Sequence, residues 1–313
     1  MPSERALTGS LLGAAVGDAL GLPFEGMSKR RQAKWHPGLD GHHFLFGRGM
    51  CSDDTEHTVL VAQSLISSQG DVGRFTRNLS TKLRFWMLGL PAGIGFATLR
   101  AILRLWLFFP PSRSGVRSAG NGPAMRSAIL GVTWGHEPAK LSELVRANTR
   151  ITHTDPRAES GALAVATAAY HASIGREADY VVPPEFASPP AENVKGFVVD
   201  TVSFALAAWK RHPRDYRAAV LEAVQAGGDT DTVAAIVGGI VGAAVGKEGI
   251  PRAWLDGMAE WPRSTAWMER LGARLASEDR RPLPVFVPFV FLRNLFFMVV
   301  VLLHGVRRLL PPY

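Results

Sequence analysis

The chain has 313 residues, 47% hydrophobic and 20% charged, which is enough apolar material for one large core and too few polar tracts for extended disorder. Its formal net charge of +8 comes from dispersed arginines, with local clusters at Lys29-Arg30-Arg31 and Arg307-Arg308. No nucleic-acid motif accompanies that charge, so no specific nucleic acid is expected as a partner.

Taken in order, helix signals dominate. Ser3 is placed to cap a helix that runs through SERALTGSLLGAAVGDALG to Gly21 and Pro23. Asp18 interrupts its apolar run and no basic segment precedes it, so a signal peptide is not expected. DDTEHTVLVAQSLISS opens with two acids, favourable beside the unpaired N–H groups of a helix start, and then turns apolar. Residues 79–90 and 96–109 read as two helices hinged at LPAGIG, and a glycine-rich turn leads into another near Pro123. DPRAESGALAVATAAYHASIG, TVSFALAAWKRH, YRAAVLEAVQAG and DTVAAIVGGIVGAAVG complete the set. Alternating β-branched residues are almost absent, the one weak strand signal being VVP at 181–183. The fold class expected is all-α.

The breaks at 22–28, 47–52, 91–95, 115–123, 152–156 and 226–229 each precede a helix start, where free N–H groups collect phosphates and carboxylates. Two of these starts carry paired acids with a hydroxyl: Ser52, Asp53 and Asp54, and Asp229, Asp231 and Thr232. A buried, ionised carboxylate needs compensation, and oxygen donors of this kind suit a hard divalent cation. The same residues are also preferred helix caps, and spacing alone leaves both readings open. His57 suits an oxygen-rich cation site poorly and is expected either beside the ligands or at the surface. Cys51, the only cysteine, excludes an intramolecular disulfide, fits a reducing cytoplasm and reads as a small buried thiol. Glycines four apart in GGIVGAAVG indicate close helix packing in water.

With GSLLGAAVGDALGLPFEG, SDDTEHT, GNGPAMR, THTDP and AGGDTDTVAAIVGGIVGA in this order, the sequence resembles the ADP-ribosylglycohydrolase family from about residue 7 to about residue 275. The resemblance implies a compact multi-helix orthogonal bundle over residues 1–280. It also implies a cleft holding two divalent cations, Mg²⁺ or Mn²⁺, and cleavage of the bond joining ADP-ribose to an acceptor. By the same resemblance Ser52, Asp53, Asp54, Asp229, Asp231 and Thr232 hold the metals, and Glu25 acts with Asp54 and Asp229 in catalysis. Gly93, Gly95, Gly120, Asn121, Gly122, His153 and Asp155 would hold ADP-ribose; for the last two, a packed histidine and a capping aspartate are the alternative. The acceptor expected is arginine in protein, with an O-linked, serine-type substrate or a non-catalytic ADP-ribose sensor as the alternatives. The partner is then an ADP-ribosylated protein or ADP-ribose itself, and a monomer is expected.

Residues 281–313 depart from that pattern. From Phe289 to Leu303 the chain is apolar apart from Arg293-Asn294, over about 22 Å if helical against a hydrocarbon layer of roughly 30 Å. Three readings stand: a helix folded back on the protein or a partner, an interfacial anchor with Arg307-Arg308 at the headgroups, and a true span. The second implies membrane-surface contact through residues 283–313 by an otherwise cytoplasmic protein, and an adaptor whose tail matters more than its cleft is the extreme form of it.

Overall fold

The computed structural model describes residues 3–309. Its helices are α1 (Glu4–Gly21), α2 (Lys29–Trp35), α3 (Asp53–Ser68), α4 (Val72–Leu88), α5 (Phe96–Trp106), α6 (Pro111–Ser114), α7 (Gly122–Met125) and α8 (Ala128–Trp134). They continue as α9 (Pro138–Arg150), α10 (Pro156–Ser173), α11 (Val198–Arg211), α12 (Tyr216–Gln225), α13 (Thr230–Val245), α14 (Arg252–Asp256), α15 (Thr265–Ala276) and α16 (Val287–Arg307). The all-α class holds.

The centre of the molecule is the pair α1 and α13, both buried along almost their whole length. Their contact explains the glycine spacing. A Cβ added to Gly9 would lie 2.1 Å from the Gly242 carbonyl oxygen, and one added to Gly13 would lie 2.2 Å from that of Gly238. Only glycine lets the two backbones approach so closely, and the approach brings the C-terminus of α1 against the first turn of α13. Gly21 accordingly packs on Thr230 and Asp231, and the Thr230 hydroxyl donates to the Gly21 carbonyl at 2.8 Å. Around this pair α10, α11, α12 and α15 bury alanine, valine and leucine, with Trp209 and Tyr216 as the largest wholly enclosed side chains there.

Several expectations are corrected. VVP at 181–183 is irregular, and the strands are instead β1 (Met27–Ser28) and β2 (Gly227–Gly228), paired antiparallel. Gly227 and Gly228 have φ of +75° and +86°, which the left-handed region allows most readily to glycine. This short ribbon fixes the 22–28 loop beside the loop that ends in Asp229. The helix expected at 79–90 begins already at Val72, capped by Asp71, and the one expected at 96–109 ends at Trp106. The segment after Pro123 is divided into α7 and α8, and α9 and α15 are amphipathic helices that the sequence reading did not single out.

The tail folds back. On α16, Arg293, Asn294, Phe297 and Val300 face inward and are buried. The Arg293 guanidinium donates to Glu260 Oε2 at 2.7 Å and to the Cys51 carbonyl at 2.6 Å, and Asn294 Nδ2 donates to the Gly89 carbonyl at 2.9 Å. The two polar residues that interrupt the apolar run are thus its anchors to the body. Positions 310–313 of the tail lie outside the described residues.

Candidate active site

Three loop-to-helix junctions meet above the α1–α13 pair. Ser52 caps α3, accepting the Asp54 N–H at 3.2 Å and donating its own hydroxyl to Asp54 Oδ2 at 3.1 Å. From α13 the Thr232 hydroxyl donates to the same oxygen at 3.3 Å. The two acid clusters, far apart in sequence, therefore share one carboxylate. Asn121 joins them from a third direction, its Nδ2 donating to Asp229 Oδ2 at 2.6 Å and to Thr201 Oγ1 at 3.1 Å.

A sixth acid belongs to this group. Asp18, fully buried in the last turns of α1, accepts the Ser52 N–H on both oxygens at 3.0 Å. It also accepts the Thr55 N–H at 3.1 Å and the Thr55 hydroxyl at 2.5 Å. Carboxylate oxygens of Asp18, Asp54 and Asp231 all lie within 4.8 Å of one another. The sequence signal was the lone acid within the apolar GAAVGDALG, which bore on export but was not assigned a role.

The electrostatics follow from crowding. Burial first, and then the neighbouring carboxylates, hold Asp53, Asp54 and Asp231 well above the usual carboxylate range. Burial raises Asp18 to about 6, with its hydrogen bonds opposing the rise. Glu25 stands at the cleft mouth with part of its side chain open to solvent, yet the surrounding walls and the Asp229 charge raise it too. Asp54 Oδ1 and Asp231 Oδ1 are buried and accept no hydrogen bond. Unpaired anionic oxygens without solvent are costly, so this donor set fits a hard divalent cation and is poorly explained as capping alone.

The cleft above the acids encloses about 360 Å³. Glu25, Ser52, Asp53, Asp54, Asp229, Asp231 and Thr232 line it, with Gly93, Gly95, Gly120, Asn121, Gly122 and His153 on the walls. Asp155 is not among the lining residues; it accepts the Arg157 N–H at 3.0 Å as the cap of α10 and pairs with the Arg157 side chain. Gly120 and Gly122 leave room for the imidazole of His153, whose atoms would lie 3.1 and 3.2 Å from an added Cβ. His153 is kept neutral by burial and by the Arg126 charge, its pKa pushed down to about 3.

His57 is neither a cleft residue nor a surface one. It is wholly buried, its Nδ1 accepts from Arg126 at 3.0 Å, and its ring packs edge-on against Trp86. Arg126 also donates to the Asn148 side chain and carbonyl and to Thr152, and Asp53 contributes to its charge balance. This buried cation behind the acid centre was not anticipated. Cys51 is the expected buried thiol. Phe297 and Val301 of α16 complete the cleft wall, a contribution from the tail that the sequence reading did not foresee.

An all-α body thus carries a carboxylate-floored cleft between helix starts. The chain matches the ADP-ribosylglycohydrolase family over residues 2–283 and belongs to it. It is 31% identical to the ADP-ribosyl-[dinitrogen reductase] glycohydrolase of Rhodospirillum rubrum over 81% of this chain and 90% of that one. It is 28% identical to the ADP-ribosylarginine hydrolase Tri1 of Pseudomonas putida (strain GB-1) over 89% of this chain and 80% of that one. A solved structure described as an ADP-ribosylglycohydrolase-related protein complex superposes with a TM-score of 0.69 at 28% identity, covering 87% of this chain and 97% of its own.

Proposed function

We propose that the protein removes ADP-ribose from arginine side chains of modified proteins, using two divalent cations, Mg²⁺ or Mn²⁺. The observation that carries the metal reading is the pair of buried, unpartnered oxygens, Asp54 Oδ1 and Asp231 Oδ1, on the floor of the cleft. Four aspartates, Asp53, Asp54, Asp229 and Asp231, would balance two divalent charges, with the Ser52 and Thr232 hydroxyls as further oxygen donors. When bound, the cations supply positive charge to ribose hydroxyls and make a coordinated water more acidic.

The remaining chemistry belongs to the protein. Glu25, with a raised pKa at the cleft mouth, is suited to carrying a proton between water and the departing acceptor. Asp54 is held in one orientation by Ser52 and Thr232, and Asp229 by Asn121, so the donor set is preorganised. The glycines at 93, 95, 120 and 122 keep the wall open for backbone approach to a nucleotide. Neutral His153 offers that wall a hydrogen-bonding ring without a charge. Arginine as acceptor is supported by the relative in Pseudomonas putida named for it.

The test is release of free ADP-ribose from arginine-ADP-ribosylated protein with Mg²⁺, with Mn²⁺ and with chelator, beside Asp229→Asn. Metal-dependent release that the variant loses supports the reading. Release from serine-linked but not arginine-linked substrate would reassign the acceptor, and release undiminished by chelator would overturn the metal.

A further inference from the structure

The apolar residues this protein leaves in solvent are concentrated on one side. Among the described residues, 26 large hydrophobic side chains are exposed, of which 9 fall within residues 85–109 and 12 within residues 286–309. The two groups adjoin. Phe85 and Leu88 of α4 line a groove with Val287 and Phe291 of α16, Asn294 is bonded to Gly89, and Phe85 packs edge-on with Trp106 of α5. Folded monomers rarely expose so continuous an apolar surface unless something covers it.

Charge says what covers it. Residues 72–136 contain nine Lys and Arg and no Asp or Glu, and residues 280–313 contain five and none. The apolar face is drawn from within these two acid-free segments, which together exceed the net charge of the whole chain and leave the rest acidic. Exposed arginines at 77, 100, 113 and 280 belong to them, while Arg74 and Arg281 pair with Asp71 and Asp279 at the segment borders. A second copy docked face to face would set these like-charged segments against each other. An anionic bilayer complements both properties at once.

We infer that α16, with the ends of α4 and α5, is a docking face for an anionic membrane surface, α16 lying in the plane of the interface. A span is disfavoured by the same contacts that hold the helix down. α16 has 21 residues, about 31 Å as a helix, and is long and apolar enough to cross. Crossing would strip Arg293 from Glu260 and carry a charge into hydrocarbon. In-plane binding keeps that pair intact and buries Leu292, Phe296, Val299 and Leu303, all exposed on the outer side. α16 begins beyond the 2–283 stretch that matches the family, so the tail's half of the face is an addition to the shared body. Phe96 both lines the cleft and belongs to this face, which places the cleft rim beside the bilayer when the protein is docked.

The test is flotation of the full-length chain with vesicles of phosphatidylcholine alone and of phosphatidylcholine with phosphatidylglycerol, at low and high salt. Binding to the anionic vesicles, weakened by salt, is expected. Phe296→Ser with Val299→Asn and Leu303→Asn should abolish it, and Arg100→Glu with Arg280→Glu should weaken it at least about tenfold. Both variants should keep the helical circular dichroism and hydrolysis of soluble substrate, so the result does not depend on which acceptor the cleft prefers. Failure of the intact chain to float with anionic vesicles overturns the proposal, as does equal binding to neutral ones. Lipid-independent self-association lost in the apolar variant would assign the face to a second copy instead.

Discussion

Thr232 donates its hydroxyl to Asp54 Oδ2 at 3.3 Å, and that bond joins two helix starts 178 positions apart. It places two acid clusters on one carboxylate, where like charges oppose each other in a buried site. The site is therefore built against stability in the absence of cations. Asp54→Asn keeps the shape and removes one charge, so metal-free protein should gain about 1–3 kcal/mol while hydrolysis falls at least about 100-fold. Thermal melts in chelator beside turnover in Mg²⁺ check both halves; a variant less stable than the parent in chelator would contradict this account.

The glycines of α1 and α13 set how closely those acids are brought together. At Gly13 an added methyl would meet the Gly238 carbonyl oxygen at 2.2 Å, and neither backbone can yield without moving a helix. Gly13→Ala and Gly238→Ala should each cost about 3 kcal/mol in urea unfolding, with activity falling as the first turn of α13 shifts. Gly305, in the exposed part of α16 with nothing within 4 Å of an added Cβ, is the contrast. There alanine should stabilise by about 0.5–1 kcal/mol.

Asp18 tests whether a residue can serve the site from behind it. Its carboxylate takes two backbone N–H groups and one hydroxyl at the start of α3, holding Ser52 and Asp54 where they converge with Asp231. Asp18→Ala leaves those donors without a partner in the core, at about 1–3 kcal/mol for each buried group. Calorimetric titration should show Mn²⁺ affinity reduced roughly 10-fold or more in Asp18→Ala. Asp18→Asn, which keeps one acceptor oxygen, should fall between. Unchanged affinity in the alanine variant would remove Asp18 from the site.

What could be read in the sequence was whatever is local. Paired acids at a helix start, glycines four apart and a small-residue helix after Pro156 each carry their meaning within one turn, and α3, α10 and α13 lie where those signals put them. Contacts between distant segments left no such trace. Asp18 looked like a flaw in an apolar helix because its partners are on α3. Arg293 and Asn294 looked like interruptions of an apolar tail because Glu260 and Gly89, which receive them, are far off in the chain. Asp155 belongs to a motif read for binding, and what the motif does not show is that its carboxylate caps α10 and pairs with its neighbour Arg157. The Arg126 cluster joins His57 of α3 to Asn148 and Thr152 at the end of α9, and no spacing rule connects these segments.

His153 gives the protein a pH dependence of known sign. Its pKa is lowered from 6.5 to about 3, by burial first and then by the Arg126 charge. The unfolded chain therefore takes up a proton as pH falls through the ordinary histidine range, while the folded chain does so only near 3. Stability from this group is fully present above about 6.5 and is lost as pH drops towards 3, amounting to about 2 kcal/mol between pH 8 and pH 5. His153→Gln removes the titration, so its unfolding free energy should fall less over that interval, by about the same amount, whatever its stability at pH 8. Urea unfolding of both proteins at pH 8 and pH 5, with chelator throughout, isolates the difference because the carboxylate cluster is common to both. Parallel curves would mean that His153 is as accessible to protons in the folded cleft as in the unfolded chain.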